Sequence, residues 1–293
     1  MKFNFCIIQP PGYIHVRAFD EVVQALAFSL VELGHQVAVQ VNRLDNSARN
    51  VLLGAHLGHQ DAQPPLPADT VILNTEQLLT DEAGWNHLVL EWSRRHAVWD
   101  YSERNIEFLR EQGARRVAHL RLGFQPQLAR IPAAAHEDID VLFYGSVGPR
   151  RAKVIDALKA RGLRVAVVFG VYGAERDALI ARSRLVLNLH HYESKILEVV
   201  RIFYLMTNAK AVVCEVGPGT AADPMYLDGV CAVPYEHLVD TCVDLLRDDS
   251  KRNALAARAR ATLARWPQVE FTRALLEQSE KTSLSDSLEV DGA

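Results

Sequence analysis

Cysteine is scarce in this sequence, with four among 293 residues: Cys6, Cys214, Cys231 and Cys242. None forms a C-x-x-C pair, and Cys6 and Cys214 lie inside apolar, strand-like runs. Buried reduced thiols fit that pattern, and closely spaced zinc ligands are missing, so no metal site is expected. Positive charge is not in excess either. Lys and Arg total 32 against 36 Asp and Glu, a formal net charge of −4, whereas a nucleic-acid binder normally carries a strongly basic face. Long hydrophobic runs are absent. No stretch approaches the roughly 18 apolar residues that span a bilayer, so no integral membrane segment is expected. The apolar run after Met1-Lys2 is broken by Pro10-Pro11-Gly12, too soon for a signal peptide, and reads as a first β-strand. The expected location is therefore cytoplasmic. The G-x-G-x-x-G, Walker, G-x-S-x-G and H-E-x-x-H patterns do not occur, nor does a short-period repeat.

What is present is a globular composition, 49% hydrophobic and 23% charged, in a chain long for one core and comfortable for two. After the first strand, Val22, Val23, Leu26, Ala27, Leu30 and Leu33 recur at helical spacing, and Gly34 stands where a helix ends. Gln36–Asn42 then reads as a strand. Strand, helix, glycine, strand is a βαβ unit and favours a parallel sheet. Further strands are predicted at 51–53, 71–74, 97–99 and 117–122, with helices over 85–94 and 102–112. Residues 123–138, rich in Pro and Ala, have little periodicity and read as a linker. A second αβ series restarts at Ile139, with strands near 139–146, 164–169, 185–189, 211–215 and 230–233 and intervening helices. The expected organisation is an N-terminal lobe 1–122, a linker 123–138, a C-terminal lobe 139–278 and a flexible tail 279–293. A helix around 270–278 is expected to pack back on the first lobe.

In open parallel sheets ligands sit beyond the carboxyl ends of strands, beside helix N-termini. Three strand ends of the second series gather suitable residues. Leu185–Leu189 runs into His190, His191, Tyr192 and Glu193, followed by a predicted helix from Ser194 to Thr207 carrying Lys195, Glu198 and Arg201. Lys195 in a first turn opposes the helix dipole, a conflict that a bound anion would remove. Tyr144-Gly145-Ser146-Val147-Gly148-Pro149-Arg150-Arg151 has the form of a phosphate cradle, with both arginines expected at the surface. Gly170-Val171-Tyr172-Gly173 suits a turn beside a nucleobase. In the first series, His15 and Glu76 have the side-chain chemistry of a general base at strand ends. Each of these has a plainer reading as a turn, a solvated helix face or a surface charge.

The stretch from Leu185 to Glu215 resembles the donor lobe of retaining GT-B glycosyltransferases of the group 1, family 4-like kind. Those have a strand, a loop, a helix with glutamates in an E-x7-E pattern, a small-residue turn and an apolar strand. Here Glu193 and Glu198 are available, but Arg201 stands eight positions after Glu193, Tyr204 lies near the second glutamate's place, and Asn208-Ala209 replaces the usual glycine. The resemblance implies an α/β protein of two Rossmann-like lobes facing across a cleft. It further implies metal-independent transfer from a nucleotide-sugar donor, bound as substrate with no cofactor, to an acceptor that is a glycan, lipid, small molecule or protein. Glu193, Glu198 and His190 would be catalytic. Arg150, Arg151, Gly145, Ser146, Gly170, Tyr172, Lys195, His191 and Arg201 would bind the donor, with His15 and Glu76 on the acceptor side. A catalytically inactive GT-B-like binding or scaffold module is the alternative, a sugar-nucleotide epimerase a weaker third, and retention or inversion stays open.

Overall fold

The computed structural model describes residues 1–58, 65–79, 86–192 and 195–290, and the chain divides into two compact units. The first comprises Met1–Leu122 with Gln268–Ala293, the second Gly123–Pro267.

In the first unit, strands β1 (Lys2–Ile7), β2 (Gln36–Val41), β3 (Arg49–Leu53), β4 (Val71–Asn74), β5 (Ala97–Asp100) and β6 (Val117–His119) form one sheet in the order β2-β1-β3-β4-β5-β6. Every pairing is parallel. The inner strands are apolar because helices cover both faces of such a sheet. Phe3, Phe5, Val51, Val71, Ile72 and Val98 are fully buried. One polar pair interrupts this core: Asn4 donates to Asn50 Oδ1 across β1 and β3 at 2.8 Å and to the Arg43 carbonyl at 3.0 Å, which satisfies both protons of its buried amide nitrogen.

Helix α1 (Asp20–Glu32) follows a 3₁₀ turn at His15–Phe19 and ends as the sequence predicts. Gly34 adopts φ +82°, its N–H bonds Val31 and that of His35 bonds Leu30, the paired pattern of a Schellman cap. Helices α2 (Asn86–Ser93) and α3 (Glu103–Glu111) cover the rest of the sheet. Trp85, expected to open α2, and most of the Pro-rich loop before β4 lie outside the described residues.

The second unit carries β7 (Ile139–Tyr144), β8 (Val165–Val168), β9 (Ser183–Asn188), β10 (Val212–Glu215) and β11 (Cys231–Val233), ordered β11-β10-β9-β7-β8 and again wholly parallel. Helices α4 (Pro149–Ala160), α5 (Gly173–Arg182), α6 (Val199–Thr207), α7 (Pro224–Leu227), α8 (Leu238–Arg247) and α9 (Asp249–Ala264) interleave with them.

Three boundaries differ from expectation. Residues 123–138 belong to the second unit instead of standing as a linker. Phe124 bridges Pro267, and the Asn208 side chain accepts from the N–H groups of Arg130 and Ile131 at 2.9 Å while donating to the Leu128 carbonyl at 3.0 Å. An aperiodic segment can be fastened this way because side-chain amides replace the missing ladder bonds. The boundary at 278 also moves: residues 268–278 pack in the first unit, as expected of the helix around 270–278, but the expected tail continues as helix α10, Gln268–Val290. Thr272 meets Ser29 of α1 at 2.7 Å, Trp99 donates its indole N–H to Ser279, and Leu275 is 1% exposed. The third change is the start of α6, at Val199 instead of Ser194.

Ala209 holds the left-handed position that closes α6, at φ +52°, with its N–H on Met206 and that of Lys210 on Leu205. A left-handed L-residue costs about 1–2 kcal/mol, so Ala209→Gly is expected to raise stability by up to about 1 kcal/mol once its larger unfolded-state entropy is counted. Urea denaturation checks this, and a fall in stability would contradict it. Leu275→Ala should cost about 2–5 kcal/mol and increase amide exchange in α1 and β6 while leaving exchange in the second unit unchanged.

Candidate functional site

Strands β7 and β9 are hydrogen-bonded neighbours although β8 falls between them in sequence. The chain leaves β7 toward one edge of the sheet and leaves β9 toward the other, so a crevice opens beyond their carboxyl ends. Residues 144–151 and 188–201, the two segments singled out in sequence, meet here. Gly145 sits at the crevice floor with φ +142°, and a Cβ on it would lie 3.2 Å from an Arg201 guanidinium nitrogen and 3.8 Å from one of Arg151. Its missing side chain lets both cations approach the backbone.

The two arginines opening α4 have different fates. Arg151 is 4% exposed, contrary to the expectation of a surface position. Its guanidinium donates to the carbonyls of Ser146 (2.9 Å), His190 (3.3 Å) and Leu189, stands 3.6 Å from Glu198, and lies over the Phe143 ring. Burial, then the neighbouring charge of Arg201, bring its pKa down to about 10. Arg151 shares its helix face with Val154, Ile155 and Leu158, positions i, i+3, i+4 and i+7, so the helix turns it inward. Arg150, one residue earlier, points outward with 43% of its side chain exposed. It forms a two-nitrogen pair with the Glu215 carboxylate at the end of β10 and stacks 3.9 Å above the Tyr235 ring.

Glu198 caps the N-terminus of α6 and faces His190 Nδ1 at 3.4 Å; Asn188 donates to it at 2.8 Å. Arg201, one turn on, donates to Asn188 Oδ1 at 2.7 Å and lies over the Tyr144 ring. Burial would raise the Glu198 pKa, but His190, Arg201 and Asn188 outweigh it and hold the carboxyl below its usual value. His190 is further tied to Thr220 through Nε2 at 3.3 Å and donates its backbone N–H to Glu215. Within this network three buried atoms have no protein hydrogen-bond partner: His190 Nδ1, Glu198 Oε1 and Arg201 Nε. Buried polar atoms are ordinarily satisfied, so their concentration at one strand edge marks a place suited to a polar ligand. Three arginines against two carboxylates give that edge a cationic balance.

Other expected donor residues lie apart from this network. Lys195 is exposed, outside any helix, at φ +50°. The segment around it pairs with the loop after β10: Ala221 donates to the Lys195 carbonyl and Leu197 to the Ala221 carbonyl, each at 2.9 Å. That long-range pairing displaces the helix start, and the expected dipole conflict does not exist. His191 stacks edge-on against Tyr192 and is exposed. Glu193 and Ser194 lie outside the described residues. Gly170 and Tyr172 follow β8, the neighbour of β7; both Gly170 (φ +74°) and Gly173 (φ +58°) are left-handed, and Tyr172 caps α5. Tyr204 is buried, donates to Asp177 at 2.7 Å, and takes no part in the site. Glu215, Thr220 and Tyr235 were not foreseen, because only the fold brings them to Arg150 and His190.

In the first unit, Glu76 follows β4, and His56 Nε2 stands 3.7 Å from its carboxylate. Burial pushes Glu76 up to about 7 and His56 down to about 4, so near neutrality the pair shares at most one proton. The Glu76 charge also helps raise Tyr13, after burial, and Tyr13 packs edge-on against His15 with ring centroids 5.2 Å apart. His15 and Glu76 thus belong to one neighbourhood. Beneath it, fully buried Asp100 accepts from Asn74 (2.6 Å), the Ser102 N–H (2.8 Å) and Asn105. Among the described residues no group of three or more His, Cys, Asp or Glu gathers as a metal site, and no helix is long and apolar enough to cross a membrane.

Breaking a buried ion pair and its hydrogen bonds costs about 3–5 kcal/mol. Arg151→Ala is therefore expected to destabilise the second unit by that amount, and Arg151→Lys to rescue it poorly, because an ammonium cannot serve the same spread of carbonyls. Arg150→Ala, at a half-exposed side chain, should cost about 1 kcal/mol. Chemical denaturation of the three variants decides this, and equal stabilities for Arg150→Ala and Arg151→Ala would contradict the division of roles.

No family model matches the chain. Among curated proteins it is similar to two uncharacterised proteins of Acanthamoeba polyphaga mimivirus. One is 26% identical over 183 residues, 60% of this chain and 59% of the relative; the other is 31% identical over 132 residues, 42% and 14%. The chain thus spans under two thirds of the length of these relatives. Among solved structures it is similar to Anabaena HepE in complex with UDP-glucose (TM-score 0.59, 16% identity, 96% of this chain and 100% of that one). It is also similar to the T4 phage enzyme BGT in complex with UDP and Mn2+ (0.58, 11%, 95% and 99%) and to a glycosyltransferase of Rickettsia africae (0.55, 10%, 96% and 98%). With two wholly parallel sheets, interleaved helices and near-complete coverage by these structures, the chain has the GT-B glycosyltransferase fold.

Proposed function

We propose that this protein transfers a sugar from a nucleoside-diphosphate sugar held by the second unit to an acceptor received by the first. The observation that carries the reading is the switch-point crevice between β7 and β9, where Arg151 and Arg201 approach the Gly145 backbone, Arg150 opens the adjoining helix, and three buried polar atoms of His190, Glu198 and Arg201 lack a protein hydrogen bond. A departing nucleoside diphosphate gains negative charge as its bond to the sugar breaks. Arg150, Arg201 and the backbone N–H groups opening α4 at Gly148 are suited to stabilise that charge, with Arg151 holding the loop that presents them. Ser146 lies in that loop. Gly170 and Tyr172, on the adjacent strand end, are assigned here to the nucleobase, and His190 and Glu198 to sugar or ribose hydroxyls; Glu193, Lys195 and His191 belong to the same segment of sequence. Because cationic side chains supply the charge stabilisation, the reaction is read as metal-independent. The donor is a substrate, and no cofactor is required.

For the acceptor step, Glu76 is the favoured base. A carboxylate accepts the proton of the acceptor hydroxyl as that oxygen bonds the sugar carbon, and the electron pair of the broken bond leaves with the diphosphate. A pKa near 7 matches the task, and His56, neutral at that pH, is placed to orient the carboxylate. His15 is the alternative base. The existing ties of Arg150 to Glu215 and Arg151 to carbonyls favour a second reading, a binding module without turnover; UDP binding with no consumption of any nucleotide sugar would establish it.

Arg150→Ala is expected to weaken UDP at least tenfold, since a charge-assisted contact contributes about 1.5–3 kcal/mol; unchanged affinity by calorimetry would place the diphosphate elsewhere. Exhaustive chelation should leave UDP affinity and turnover within about twofold of the untreated protein; strict Mn2+ dependence would end the metal-independent reading. The ionised form of Glu76 is the active one, so kcat/KM should rise with pH through about 7. Glu76→Gln should remove that limb and lower turnover by about 10²-fold or more, and an acid limb that survives the substitution would transfer the role to another group.

A further inference from the structure

A cavity lies in the first unit, beyond the carboxyl ends of β1 and β2, with a volume of about 630 Å³; Leu57 in its wall follows His56, which stands 3.7 Å from Glu76. That is the size of sites that enclose a small molecule. Its walls are mostly apolar, with Ile8, Pro10, Leu44, Leu57 and Leu66 among them. The rim is held by an unusual backbone. Asn42 is left-handed at φ +51°, and its side-chain amide makes reciprocal bonds with the Gln9 backbone, accepting at 2.8 Å and donating at 2.7 Å. Gln9 in turn donates to the Tyr13 carbonyl at 3.0 Å. This clamp fixes the Pro10-Pro11 wall against the end of β2. Strain of this kind persists where surroundings over-determine it, commonly around ligands.

Among the described residues lining the cavity, Arg43 carries the single charge. Its guanidinium has no carboxylate partner among the described residues, and the nearby Asp45 is engaged by Lys2 at 2.7 Å and by Ser47. An apolar chamber whose one charged lining residue, among those described, is an exposed arginine is complementary to a molecule with an apolar body and one anionic group. We infer that this cavity binds a small amphipathic anion, a ring-sized apolar body bearing a carboxylate or similar group, and that such a molecule is the acceptor. Only its role as acceptor rests on the glycosyl-transfer reading.

Two fluorescent probes with related apolar bodies test the inference on the full chain: anilinonaphthalene sulfonate, which is anionic, and N-phenyl-1-naphthylamine, which is neutral. Both should bind saturably at one site. Arg43→Ala, at an exposed position that leaves folding intact, should weaken the sulfonate about fivefold or more and leave the neutral probe unchanged; 1 M salt should act in the same direction. Leu44→Trp, which fills the chamber, should exclude both probes. Equal affinity of wild type and Arg43→Ala for the sulfonate, or no saturable binding by either probe, would overturn the inference. UDP titrations of the same proteins keep the two readings distinct. Probe binding without UDP binding removes the donor reading and leaves the cavity assignment, and UDP binding without probe binding does the reverse.

Discussion

The carboxyl edge of the second sheet depends on one buried cation. Arg151 ties the loop after β7 to the two residues that follow β9 through three backbone carbonyls, and it faces Glu198 at the head of α6. A guanidinium suits this place because it presents several donors in a fixed plane. An apolar residue would leave the carbonyls of Ser146, Leu189 and His190 without that donor in a dry interior, at the cost such groups always carry. With Arg151 fixed, Gly145 is held close to Arg201, and Arg150 is turned toward Glu215. The distribution of charge at the switch point follows from the burial of a residue that never has to touch a ligand.

This explains why adjacent, identical residues are not equivalent. Arg150 and Arg151 are about 100° apart around α4, and that rotation takes one from solvent to the core. The exposed one keeps nearly half of its side chain in water and an aromatic platform in Tyr235. The buried one gives up hydration and recovers it from carbonyl oxygens. In the first unit, Asp100 is the counterpart: a buried carboxylate, satisfied by Asn74, Asn105 and a backbone N–H, that sets the loops on which Glu76 stands.

Much of this architecture was legible from residue order. Apolar runs located the strands because a parallel sheet is covered on both faces, and Gly34 marked a helix end because it takes the left-handed angle there. Gathering polar residues at strand ends located the switch-point crevice. Long-range pairing hid the rest. Ser194 and Lys195 look like a helix start, yet the backbone around Lys195 pairs with Ala221, some 25 residues away. The strap at 123–131 looks aperiodic because Asn208, not a neighbouring strand, satisfies its amides. The inward turn of Arg151 was readable in principle, from its place in the stripe with Val154, Ile155 and Leu158, but its charge argued the other way.

Helix α10 lends the architecture an order in time. The first unit is discontinuous: its sheet is complete by β6, yet the faces of α1 and β6 that α10 covers stay bare until the whole of 123–267 has been synthesised. The second unit is contiguous and can close as it emerges from the ribosome. On a translating chain, a segment made after the second unit therefore completes the unit that precedes it, and until then the Ser29 and Trp99 surfaces stand open to whatever holds nascent chains.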